Sequence, residues 1–160
     1  MKTICSALII CLIGACAAPP TPAPRDQAGP VVLVDEAGSR HDLDKILAGG
    51  KPVTLVFWQT WCVTCREEGP DLVRAARSYE NRIEFFGVVS GPDELVDGGE
   101  LREVTGELGL PYPQIRDRDG SVAEQFGVQS TPTIIVLGPG RRELYRGKAL
   151  PTNWASFVGS

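Results

Sequence analysis

Cys62 and Cys65, separated by two residues, are the pair in this chain best suited to chemistry, because thiols at that spacing can cycle between dithiol and disulfide. Before them, Val53 to Phe57 is a β-branched and aromatic run that predicts a buried strand; after them Leu72, Val73, Ala76 and Tyr79 recur at helical spacing. The pair therefore falls at a strand-to-helix junction. A helix N-terminus presents unpaired N–H groups and the positive end of the macrodipole, which favour the thiolate and lower its pKa below the value of about 8.5 for a free thiol. Cys62, the more N-terminal, is the expected nucleophile. Cys65 is one helical turn on, within the roughly 4.4–6.8 Å Cα separation that a disulfide tolerates, and is the expected resolving thiol.

The stretch resembles the thioredoxin superfamily: Trp61-Cys62-Val63-Thr64-Cys65 matches its Trp-Cys-x-x-Cys signature, and Pro70 stands where that family kinks its active-site helix. A second match lies downstream in Gly127-Val128-Gln129-Ser130-Thr131-Pro132-Thr133, which is similar to the loop whose cis-proline faces the cysteines. The resemblance implies that residues around Thr131 and Pro132 pair with a client chain and that Trp61 shields the sulfur and offers an apolar contact. Trp58, on the strand, is the expected core tryptophan. The segment between the central strands and the proline loop is longer than in plain thioredoxin. With its Leu110-Pro111-Tyr112-Pro113 turn and Asp117-Arg118-Asp119-Gly120 element, it resembles the extracytoplasmic TlpA/ResA-like group of cytochrome c maturation type.

Two positions depart from thioredoxin itself. Its buried acid, six residues before the first cysteine, is replaced by Val56. Glu68, three residues beyond Cys65, matches an acidic residue of the cytochrome-maturation reductases, and Glu67 and Glu68 also fit as ordinary acids near a helix start. The intervening Val63-Thr64 carries no proline, histidine or positive charge. Without a histidine to stabilise the thiolate further, the expected potential leans to the reducing end of a family range running from about −270 mV to about −120 mV. An oxidant or isomerase is the opposite direction of the same chemistry.

The elements around the pair follow from periodicity and turn residues. Val31 to Val34 predicts a strand with a turn over 35–39, and Leu43, Ile46 and Leu47 a brief helix ended by Gly49-Gly50. Ile83 to Ser90 reads as a central strand. Leu101, Val104 and Leu108 share a helical face closed by Gly109, after a loop containing Gly98-Gly99. Asp117 and Asp119 lack the spacing of a calcium loop and read as a turn before a helix over Ser121 to Phe126. Thr133 to Leu137 and Glu143 to Arg146 form a hairpin, and Trp154 and Phe157 lie on a closing helix. His41, the only histidine, reads as a solvated surface residue. Together with the resemblance, this order gives a thioredoxin-like α/β fold, a central mixed sheet with helices on both faces, an N-terminal extension and an inserted helical segment.

With 160 residues, 22% charged and 42% hydrophobic, one ordinary domain is expected over 31–160, preceded by a leader over 1–15 and a Pro-rich tether over 16–30. Lys2 followed by apolar residues to Ile13 reads as an export signal, too short for the roughly 20 residues of a membrane span. Leu12-Ile13-Gly14-Ala15-Cys16 resembles a bacterial lipobox, which makes Cys16 the expected lipid attachment site. An ordinary signal peptide is the alternative. Cys5 and Cys11 would leave with the leader, so of five cysteines Cys62 and Cys65 alone would remain thiols. A disulfide across two residues closes almost no loop, so a redox role accounts for the pair better than a structural one.

A net charge of −4 without Lys or Arg runs argues against a nucleic-acid surface. The expected partners are disulfide-containing exported proteins, a membrane thiol protein that supplies electrons, and the membrane through the N-terminal lipid. No cofactor is expected beyond the Cys62-Cys65 disulfide, and no metal site; zinc would need a second cysteine pair. The rival reading is a copper-handling chaperone, in which the two thiolates would hold Cu(I).

Overall fold

The structure, a computed structural model, describes residues 29–159. The leader over 1–15, Cys16 and all but the end of the tether lie outside the described residues. Among those described, no helix is long and apolar enough to cross a membrane.

The chain enters through β1 (Val32–Val34), which pairs antiparallel with β2 (Arg40–Asp42). Asp35 closes the turn between them by accepting from the amides of Ala37 and Ser39. The second strand was not expected, and it changes the account of His41. Its Nε2 lies 2.8 Å from Asp35 Oδ2 and its ring 4.9 Å from that of Phe86, so it is a partly buried bridge and not a solvated residue. Asp42 then caps α1 (Leu43–Ala48) by accepting from the Lys45 amide.

The main sheet has the order β5-β4-β3-β6-β7. At its centre, β3 (Val53–Phe57) runs parallel to β4 (Glu84–Ser90) and antiparallel to β6 (Thr133–Leu137). Outside them, β5 (Gln114–Asp117) is parallel to β4 and β7 (Glu143–Gly147) antiparallel to β6. Every residue of β3 is buried, as expected of a strand covered on both faces. Val53, Leu55, Phe57, Phe86, Val88, Ile135 and Leu137 face α1 and Phe126, at the end of α4 (Ser121–Gln125). On the other face, Val56, Val89 and Ile134 meet Cys65 and Leu72 of α2 (Val63–Tyr79) and Leu101 and Val104 of α3 (Gly98–Leu108). Trp154, in a short 3-10 helix Trp154–Phe157, packs with Phe85, Ala75 and Ala76 on that same side.

Two more local features differ from expectation. Gly98 and Gly99 open α3 instead of preceding it, because Asp97 accepts from the Glu100 amide and supplies the cap. Gln114 to Asp117, where no strand was expected ahead of the turn over 117–120, is a strand with all four residues buried. It was hidden because it carries Gln, Arg and Asp where a core strand ordinarily carries apolar residues. Gln114 also explains Gly87: a Cβ there would sit 2.1 Å from Gln114 Oε1. The glutamine crosses β4 at that gap to accept from Trp58 Nε1 at 2.9 Å.

Candidate active site

β3 delivers the chain to Trp58, whose amide bonds the Val88 carbonyl and whose indole is buried, as expected for the core tryptophan. Cys62 is the N-cap of α2, with extended φ/ψ of −77° and 102°, and its Sγ accepts from the Cys65 amide at 3.3 Å. A sulfur in the N-cap acceptor position meets the free amides of the first turn, the surroundings that favour a thiolate. Cys62 and Cys65 are joined as a disulfide with Cα atoms 5.2 Å apart. Cys62 is half-buried, with Trp61 (55% exposed) and Val63 beside it, whereas Cys65 is 5% exposed. Attack from outside can therefore reach Cys62 and not Cys65.

The Thr131-Pro132 bond is cis, and Pro132 and Cys65 line one small cavity. Its other walls include Val56, Leu108, Glu68 and Tyr112, and it leaves about 10 Å³ for the centre of a water molecule, roughly one water's worth. Val56, at the position of thioredoxin's acid, is part of an apolar wall. A carboxyl reaches the same cavity from the helix: Glu68 Oε2 is buried without a hydrogen-bond partner, and burial pushes the carboxyl above the ordinary carboxylate range. Tyr112 Oη is likewise buried and unpartnered, and burial raises that hydroxyl too. Leaving such a group unsatisfied costs about 1–3 kcal/mol. Thr131 faces a different recess of about 290 Å³, with Trp58, Gln59, Ser90 and Ser130 around it.

Several residues that hold this arrangement carried no sequence signal. Lys148 Nζ, just after β7, donates to the Ser130 carbonyl at 2.9 Å, to Thr133 Oγ1 at 3.0 Å and to Ser130 Oγ, while Thr133 Oγ1 donates to the same carbonyl at 2.6 Å. One ammonium thus clasps both ends of the segment containing Thr131 and Pro132. On the other side, Gln59 Nε2 donates to the Ser90 carbonyl at 2.7 Å and Ser90 Oγ to Asp117 Oδ2 at 2.6 Å. Asp117 also accepts the amides of Val122 and Ala123, which ties α4 to β5. The buried guanidinium of Arg116 donates to the carbonyls of Val89, Gly91 and Val96 and to Asp93, holding the loop that leaves β4. Among the described residues, no group of three or more His, Cys, Asp or Glu is placed to hold a metal ion.

The model of the AhpC/TSA family matches residues 24–153. Among curated relatives, the thiol:disulfide interchange protein DsbE of Escherichia coli is 33% identical over 129 residues, covering 78% of this chain and 65% of the relative. The thiol-disulfide oxidoreductase ResA of Bacillus subtilis is 28% identical over 68% of this chain and 58% of its own length. The chain thus spans less than two thirds of either relative. Among solved structures, a secreted Mycobacterium tuberculosis disulfide oxidoreductase homologous to E. coli DsbE superposes with a TM-score of 0.64 at 22% identity. The match covers 76% of this chain and 84% of that one, and it establishes the thioredoxin-like fold.

Proposed function

The chain belongs to the AhpC/TSA family of thioredoxin-like proteins, and on that premise we propose that it is a thiol-disulfide oxidoreductase that reduces disulfides in exported proteins. The observation that carries this reading is the Cys62-Cys65 disulfide at the start of α2, with its buried half lining one cavity with cis-Pro132.

Reduced Cys62, as thiolate, attacks one sulfur of a client disulfide, and the electron pair of that bond leaves on the other client sulfur. Cys65 then loses its proton and attacks Cys62, closing the intramolecular disulfide and releasing the reduced client. Glu68, in the cavity behind Cys65, is the base for that second step. Thr131 offers its backbone to the extended client chain, Pro132 holds the approach to the sulfurs, and exposed Trp61 supplies apolar contact. A membrane thiol protein returns the pair to the dithiol. The leaning towards reduction rests on Val63-Thr64, which adds no positive charge to the thiolate.

The domain works outside the cytoplasm, carried on a tether from a lipid on Cys16. The lipobox-like residues before Cys16 support that placement. Mass spectrometry of the mature N-terminus tests it, and an unmodified residue there would overturn it.

The direction is tested by the equilibrium reduction potential of the Cys62/Cys65 couple in dithiothreitol or glutathione buffers. A value near about −270 mV or below supports the reductase, and one near about −120 mV makes the protein an oxidant or isomerase. A pair that forms no disulfide in any buffer would remove the enzyme reading, and Cu(I) titration would then test the copper one.

A further inference from the structure

We infer that Tyr112 is a positioning residue for Glu68: through one bridging water its hydroxyl supports the Glu68 carboxylate in the cavity behind Cys65 and keeps it ready to take the Cys65 proton. The inference rests on the thiol-disulfide reading and names how its second step is controlled.

Two observations carry it. Tyr112 Oη and Glu68 Oε2 are each buried and each without a hydrogen-bond partner, and both residues line the one cavity that Cys65 also lines. The two are chemically complementary, since a phenol brings one donor hydrogen and a carboxylate is an acceptor. Nothing else in that cavity competes for them. Val56, Leu108 and Pro132 have no polar side-chain group, and the Trp58 indole N–H is given to Gln114. The space remaining is that of about one water, so a single water can bridge the two groups.

The tyrosine ring is also held in place. It stacks on Phe85 with centroids 5.9 Å apart, and the Tyr112 carbonyl accepts from Gln114 Nε2 at 2.9 Å. A phenylalanine would serve that packing equally well, so packing leaves the buried hydroxyl unexplained.

The step balances as follows. The Cys65 thiol gives its proton to the Glu68 carboxylate, and the S–H electron pair stays on Cys65 sulfur. That sulfur bonds Cys62 sulfur, the Cys62–client bond breaks, and its electron pair leaves on the client sulfur. Tyr112 keeps its proton throughout; supporting the charged carboxylate through the water, it opposes the rise that burial imposes on Glu68. The other charged groups around Glu68 are engaged or lie elsewhere. On its own helix, Glu67 is exposed and Arg66 donates to Glu107 of α3 at 2.9 Å, while Lys148 is bound to Ser130 and Thr133.

The test uses the full-length reduced protein and 5,5′-dithiobis(2-nitrobenzoate), which releases one coloured thiolate when Cys62 attacks and a second when Cys65 resolves. Both are followed from about pH 4 to pH 9. In Tyr112→Phe the first release keeps its profile. The acid limb of the second moves up by about one pH unit, as loss of the bridged hydrogen bond to a charged group requires. In Glu68→Gln that limb disappears, and adding Tyr112→Phe to it changes nothing further. A Tyr112→Phe second release that superimposes on wild type would overturn the inference. So would a slowing equal in size with and without Glu68, because that is a packing effect. Replacing the tyrosines by 3-fluorotyrosine gives a check that keeps the ring: a more acidic hydroxyl donates better, so the limb should move down, and a stationary limb counts against the inference. Failure of the thiol-disulfide reading looks different, since the second release is then absent in every variant, wild type included.

Discussion

The amide of Cys65 lies 3.3 Å from the sulfur of Cys62, so the residue that resolves also stabilises charge on the residue that attacks. Exposure divides the roles in the same sense, Cys62 being half-buried and Cys65 5% exposed.

Cys65→Ser should therefore trap a mixed disulfide between Cys62 and a client, seen as a heavier band that dithiothreitol removes, whereas Cys62→Ser should trap none. Alkylation of reduced Cys62 by iodoacetamide should show an apparent pKa below the value of about 8.5 for a free thiol. Equal trapping by both variants would contradict the assignment.

Glu68 predicts a pH dependence of stability whose sign follows from its burial. The folded-state carboxyl is raised above its unfolded value, so the native state holds that proton to higher pH than the unfolded chain. The stability this contributes is complete below the unfolded pKa of about 4.3 and is lost as pH rises through the folded one. Glu68→Gln in the oxidised protein should then be at least as stable as wild type at pH 7, with its advantage shrinking towards about pH 4. Thermal unfolding at the two pH values decides, and a Glu68→Gln protein less stable at pH 7 would contradict the prediction.

Lys148 predicts a binding defect without a chemical one. Its three hydrogen bonds fix Ser130 and Thr133 on either side of Thr131-Pro132, and it touches neither cysteine. Lys148→Met should raise KM for a disulfide-bonded peptide about fivefold, equivalent to about 1 kcal/mol, while Cys62 alkylation keeps its wild-type pH profile. A change in the alkylation profile with KM unaltered would assign Lys148 a different role.

Arg116 predicts the largest loss of stability. Its side chain is 2% exposed, and it satisfies three backbone carbonyls of the segment Val89 to Val96. Arg116→Leu removes the donor that ties those carbonyls together and should cost about 3 kcal/mol by urea denaturation. A loss below about 1 kcal/mol would mean that the loop finds other partners.

Local chemistry made much of this protein legible before its fold was known. Cys62, Cys65, Pro132 and Glu68 stand in short runs whose spacing along one helix, or one turn before a strand, constrains what they can touch. The strands β3, β4 and β6 announce themselves because burial on both faces demands unbroken apolar runs. The strand β5 did not, since Gln114, Arg116 and Asp117 are buried only because each finds a partner far away in the chain. Trp58 and Gln114 meet across 56 residues, Arg116 and Val89 across 27.

The sequence by itself determined the redox pair, its strand-to-helix setting and the proline loop, because each depends on backbone geometry over a few neighbouring residues. Only the tertiary structure decided that Glu68 and Tyr112 share a cavity with Cys65, that Lys148 clasps the proline loop, and that His41 bridges Asp35 and Phe86. A side chain from one part of the chain meets one from another only after the sheet has set strand order and register. Nothing in the spacing of residues along the chain encodes which buried polar atoms will then face each other.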